Sequence, residues 1–61
     1  MQTYITVESR AKGTDESWGM VIGYPVAAKG PEAAFEAAFE YMAINEKTFK
    51  NIEYRIGEKQ W

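Results

Sequence analysis

Hydrophobic and polar positions change their period twice along this chain, from two to about 3.6 and back to two. Residues Gln2–Glu8 (QTYITVE) alternate and are rich in β-branched and aromatic types, the pattern of a half-buried strand. Thr3, Ile5 and Val7 share one side, and Ile5 and Val7 are its core candidates. Tyr4, Thr6 and Glu8 share the other. Ser9–Ser17 is polar, contains Gly13 and predicts a hairpin loop. Trp18–Val26 alternates again, with Trp18, Met20, Ile22, Tyr24 and Val26 set against Gly19, Val21, Gly23 and Pro25. The large residues are expected on the core side, and Pro25, which has no N–H for a ladder, puts this strand at a sheet edge.

The stretch Gly30–Asn45 (GPEAAFEAAFEYMAIN) is the one with a sustained helical period. Pro31 after Gly30 marks the first helical position, where a missing N–H costs no hydrogen bond, and Glu32 suits the dipole of the first turn. Phe35, Ala38, Phe39 and Met42 follow the i, i+3, i+4, i+7 spacing and are expected to lie on a sheet. Asn45 predicts a left-handed cap that ends the helix there or within a residue or two. Phe49–Ile56 (FKNIEYRI) returns to alternation, with Ile52, Tyr54 and Ile56 inward and Asn51, Glu53 and Arg55 outward. Gly57–Trp61 reads as a tail, with Trp61 either packed back on the sheet edge or exposed.

The order is therefore β-β-α-β in one small α+β domain over residues 1–61. The crossover from second to third strand should be right-handed. If the third strand pairs with the first, the sheet is three-stranded and antiparallel in order 3-1-2, with one helix on one face. The regular first strand, free of Pro and Gly, suits the centre. The other face stays open, carrying Tyr4, Thr6, Glu8, Glu53 and Arg55 over a floor thinned by Gly19 and Gly23. Both outer strands keep free edges.

A chain of 61 residues buries only about 60% of its unfolded surface, so association is a reasonable further source of stability. With no cysteine, neither a disulfide nor a thiolate zinc site can add to it. Three Phe, four Tyr and two Trp must supply much of the core. On the helix, Glu32, Glu36 and Glu40 form an i, i+4, i+8 acidic stripe flanked by Ala33 and Ala37. It is either a solvated face or one that meets a basic partner.

Composition excludes more chemistry than it suggests. There is no His and no Cys, which removes the commonest general base, metal ligand and thiol nucleophile. No glycine-rich phosphate loop precedes the helix, and Asp15 and Glu16 read as loop acids. We expect no enzyme, no cofactor and no metal. A net charge of −2 argues against gripping nucleic acid, although Tyr4 on an open face could stack a base. No apolar run of membrane-spanning length and no signal segment is present, so the expected compartment is the cytoplasm.

Protein binding remains, by strand addition or by charge complementarity. Arg55 is the outward guanidinium of the last strand and is suited to a partner carboxylate, unless it pairs within the sheet with Glu8 or Glu53. Three segments, YITVES (Tyr4–Ser9), EAAFEAAFEYM (Glu32–Met42) and FKNIEYRI (Phe49–Ile56), resemble the first strand, helix and last strand of the very small bacteriophage proteins that inhibit the host's bacterial RNA polymerase. The resemblance implies a non-catalytic inhibitor in the host cytoplasm that covers a polymerase surface with its last strand and nearby acids. By position it carries over to Arg55 and, more loosely, Glu8. Gly57 stands where that family has a second Arg, and the hairpin loop and second strand differ. The segment GYPVAAKGPEAAFEAA (Gly23–Ala38) is similar to sheet-plus-helix antitoxin domains, which bind a small toxin. The expected contact residues are Arg55, Glu53, Glu8, Glu32, Glu36 and Glu40, against a host protein or complex. The alternative is an assembly protein that forms a homo-oligomer through its sheet edge.

Overall fold

The computed structural model describes residues 1–61. Strands β1 (Thr3–Ala11) and β2 (Gly19–Pro25) form a hairpin. A single helical turn, α1 (Val26–Lys29), leads into the long helix α2 (Pro31–Thr48), and β3 (Ile52–Gln60) follows. The sheet is antiparallel in order β2-β1-β3, with β1 central. This is the expected architecture. Gly30 joins the two helices at φ 85°, a conformation open to glycine at little cost. Its carbonyl accepts from the Ala34 N–H to close the first turn of α2.

Several boundaries move. β1 runs on to Ala11, because Ser9, Arg10 and Ala11 pair with Tyr54, Glu53 and Ile52. The segment read as a tail is the second half of β3: Gly57–Gln60 pair with Thr6–Thr3, and Trp61 and Gln2 donate to each other's carbonyls. Phe49, expected to begin the strand, instead ends the helix by donating its N–H to the Asn45 carbonyl. Asn45 is no left-handed cap: every non-glycine residue has negative φ, and its side-chain amide donates to the Tyr41 carbonyl at 2.8 Å. Helix and ladder hydrogen bonds thus extend past the points where local signals weaken.

The helix sits on the sheet by a different stripe from the one expected. Ala34 and Ala38 are completely buried, and Tyr41, Met42 and Asn45 are half-buried on the same side. Phe35 and Phe39 are 50% and 54% exposed and stack on each other at 6.4 Å. The sheet already carries bulk on this face: Ile5 opposite Tyr24, and Val7 opposite both Ile22 and Ile56. Small helix residues let the backbone come down onto it. Helix periodicity allows both stripes, which share Ala38 and Met42, and the bulk already on the sheet favours the alanine one.

A β-bulge corrects the second strand. Val7 pairs with Ile22 but Glu8 pairs with Met20, so Val21 is the extra residue. Before the bulge every side chain changes face. Met20 falls with Glu8 and Gly19 with Ser9, the reverse of the simple alternation. Trp18, expected in the core, lies on the open face.

Candidate functional site

The open face is built by register. Antiparallel pairing sets Glu8 opposite Arg55 and Arg10 opposite Glu53. Directly opposite side chains approach closely, and opposite charges there attract. Arg55 Nε donates to Glu8 Oε1 at 2.6 Å, and Arg10 Nε donates to Glu53 Oε1 at 3.2 Å. Arg55 therefore does pair within the sheet, with Glu8.

Glu8 is buried, at 7% exposure. An ion there stays charged at tolerable cost only if it is paired and hydrogen-bonded. Arg55 serves one oxygen and the Thr6 hydroxyl donates to the other at 3.4 Å. Gly57, beside it on β3, leaves the room: a Cβ at that position would lie 2.8 Å from Glu8 Oε2.

Trp18 covers this ion-pair cluster. The guanidinium carbons of Arg10 and Arg55 lie 4.4 and 4.5 Å from its ring centre, within cation–π range. Arg10 also donates from Nη1 to the Glu16 carbonyl at 3.4 Å, which ties the hairpin loop to the face. Arg55 is oriented twice over, through Nε and through the ring, yet its side chain is 53% exposed and its two terminal nitrogens make no bond within the chain. At the far end of the face Tyr4 packs on Trp61 at 4.9 Å, while Trp61 remains 54% exposed. Each alternative for Trp61 thus describes part of its setting.

The six expected contact residues do not form one site. Glu8, Glu53 and Arg55 converge on the open face. Glu32, Glu36 and Glu40 are exposed on α2, which packs on the other face, around Phe35 and Phe39. Sequence reasoning missed Arg10, Trp18 and the two exposed phenylalanines as surface features. Arg10 was legible, since it continues the Tyr4–Thr6–Glu8 parity. Trp18 was not, because its side depends on the bulge.

On the helix side, Tyr24 and Tyr54 flank Tyr41. Burial raises both phenols above the ordinary 10.0; Tyr41 and Glu40 add to the effect at Tyr24, and Tyr41 and Glu46 at Tyr54. No three acidic side chains converge as a metal site would need, and no helix is long and apolar enough to cross a membrane. No family model, curated protein or solved structure matches the chain.

Proposed function

We propose that this chain is a non-catalytic protein-binding module that disables a host bacterial protein or complex by covering part of its surface. The observation that carries the reading is Arg55: held by Glu8, laid against Trp18, and left with two free terminal nitrogens on an exposed face. A guanidinium fixed in advance loses little further freedom when it captures a carboxylate bidentately. Trp18 beside it is the kind of aromatic that anchors protein interfaces. Bacterial RNA polymerase is the first partner to try, on the strength of the three segments that resemble the phage inhibitors. The module acts without cofactor or nucleic acid, in the host cytoplasm.

The test is binding of purified bacterial RNA polymerase, and capture from bacterial lysate, by the chain and by Arg55→Lys. Lysine keeps the charge beside Glu8 but cannot form the bidentate contact. Binding of polymerase that weakens at least tenfold in the variant supports the whole reading. Capture of a different complex with the same loss at Arg55 keeps the module and replaces the partner. Binding indifferent to Arg55→Lys, or no capture, defeats it.

A further inference from the structure

The two edges of the sheet differ. β2 is blunted by the bulge at Val21 and by Pro25, two devices that discourage further pairing. β3 has neither proline nor bulge, and its register with β1 is unbroken from Ile52 to Gln60.

The backbone groups that β3 leaves free can be identified. Gln2 and Trp61 exchange hydrogen bonds at one end of the pairing, and Lys12 donates to the Asn51 carbonyl at the other. Antiparallel strands bond at every second pair, so Tyr4, Thr6, Glu8 and Arg10 bond with Lys59, Gly57, Arg55 and Glu53. The N–H and C=O groups of Tyr54, Ile56, Glu58 and Gln60 therefore point away from β1, as does the C=O of Ile52, whose N–H already donates to the Phe49 carbonyl at 3.4 Å.

Charges are what guard this edge, and they are self-complementary about Ile56. A second copy laid antiparallel on a two-fold axis through Ile56 sets Glu53 opposite Lys59 of the second copy, on both sides of the axis. The outward backbone groups then find partners: Ile56 with Ile56, Tyr54 with Glu58, and the Ile52 carbonyl with the Gln60 N–H. An axis at Gly57 would oppose Arg55 to Lys59, and an axis at Arg55 would oppose Arg55 to itself. An axis at Tyr54 matches Glu53 with Arg55 but overlaps only Ile52–Ile56.

The same axis keeps both helices on one face. The connection from β2 through α2 to β3 passes over the central β1, and the right-handed sense of such crossovers turns the flank of α2 that bears Glu46 toward β3 and the flank that bears Glu40 toward β2. At about 100° per residue, Phe35 and Phe39 lie within roughly 20° of Glu46 around the helix. These stacked, exposed rings would face their counterparts across the new strand pair. With strands about 4.8 Å apart and each helix centred over β1, the helix axes would be about 14 Å apart. That is wider than the roughly 8–10 Å of direct helix packing, and the gap suits large side chains from both helices.

We propose that two copies of the chain join through β3 about a two-fold axis at Ile56, making one continuous antiparallel sheet with Phe35 and Phe39 of both copies packed across the junction. The occupant of this edge is a second copy because the edge matches itself in charge, in hydrogen-bonding groups and in the flank above it. The pairing leaves the Arg55–Trp18 face uncovered, so it stands or falls separately from host binding.

Sedimentation equilibrium from about 1 μM to about 1 mM tests it. The wild-type chain should pass from monomer to dimer within that range. Glu58→Pro removes one outward N–H and no β1–β3 bond, at an exposed position; Lys59→Glu opposes like charges across the axis. Each should weaken dimerisation at least tenfold, with circular dichroism at low concentration showing a folded monomer. If the proline variant does not fold, Lys59→Glu decides. Phe39→Ser should weaken the dimer as well. A wild-type chain monomeric throughout, or a dimer that Lys59→Glu and a folded Glu58→Pro leave intact, overturns the proposal, even if Phe39→Ser disrupts it.

Discussion

The Glu8 carboxylate occupies the space that a side chain at position 57 would need. A Cβ there would lie 2.8 Å from Glu8 Oε2 and 3.1 Å from the Thr6 hydroxyl oxygen. Gly57 is thus part of the ion pair: it lets a buried carboxylate lie flat on the sheet while Arg55 holds it from the side. Gly57 and the buried Glu8 belong to one arrangement.

Gly57→Ala should therefore destabilise the fold by about 1–3 kcal/mol, the usual cost of forcing atoms into an occupied site. Urea denaturation measures it. An unchanged midpoint would mean that Glu8 swings aside freely and that its pairing with Arg55 adds little.

The rotation of α2 makes two opposite predictions. Ala38→Leu forces bulk between helix and sheet at a residue with no exposure, and should cost about 1–3 kcal/mol. Phe35→Ser removes a large side chain from an exposed position and should change monomer stability by less than about 0.5 kcal/mol. Thermal melts at low micromolar concentration compare them. The reverse ranking would place Phe35 in the core.

Trp18→Ala should lose its cation–π contacts with Arg10 and Arg55, each about 0.5–1 kcal/mol at partly exposed sites. It should also free the Arg10 end of the hairpin loop, which amide hydrogen exchange at Glu16–Gly19 would register as faster exchange. A variant as stable as the parent, with unaltered exchange, would remove Trp18 from the cluster.

Stability should fall as pH rises beyond 10. Tyr24 and Tyr54 hold their protons more tightly in the folded chain, chiefly through burial. Above the ordinary value of 10.0 the unfolded chain binds fewer protons than the folded one, so the free energy of unfolding decreases with pH. The contribution is fully present below pH 10 and is lost as the pH rises through the raised folded values. Denaturation midpoints at pH 9 and pH 11 check the sign, and replacing both tyrosines by Phe should flatten the slope.

How far local pattern reaches can be read from particular residues. The alternation of Gln2–Glu8 and Phe49–Ile56, the helical period after Pro31 and the lone Pro25 together determine three strands, one main helix and β1 at the centre. Each of those signals is local, or follows from chain connectivity. The pairing of Glu8 with Arg55 was one of the partnerships the outward positions allowed, and register selected it. Three features depended on tertiary structure. One extra residue at Val21 moved Trp18 from core to open face, because strand side chains invert with a single slip. The bulk of Ile5, Val7, Tyr24 and Ile56 on the sheet favoured Ala34 and Ala38 over Phe35 and Phe39, because helix periodicity permits either stripe. The pairing of Gly57–Gln60 with Thr3–Thr6 turned a polar tail into strand, because a ladder to a central partner outweighs weak strand preference.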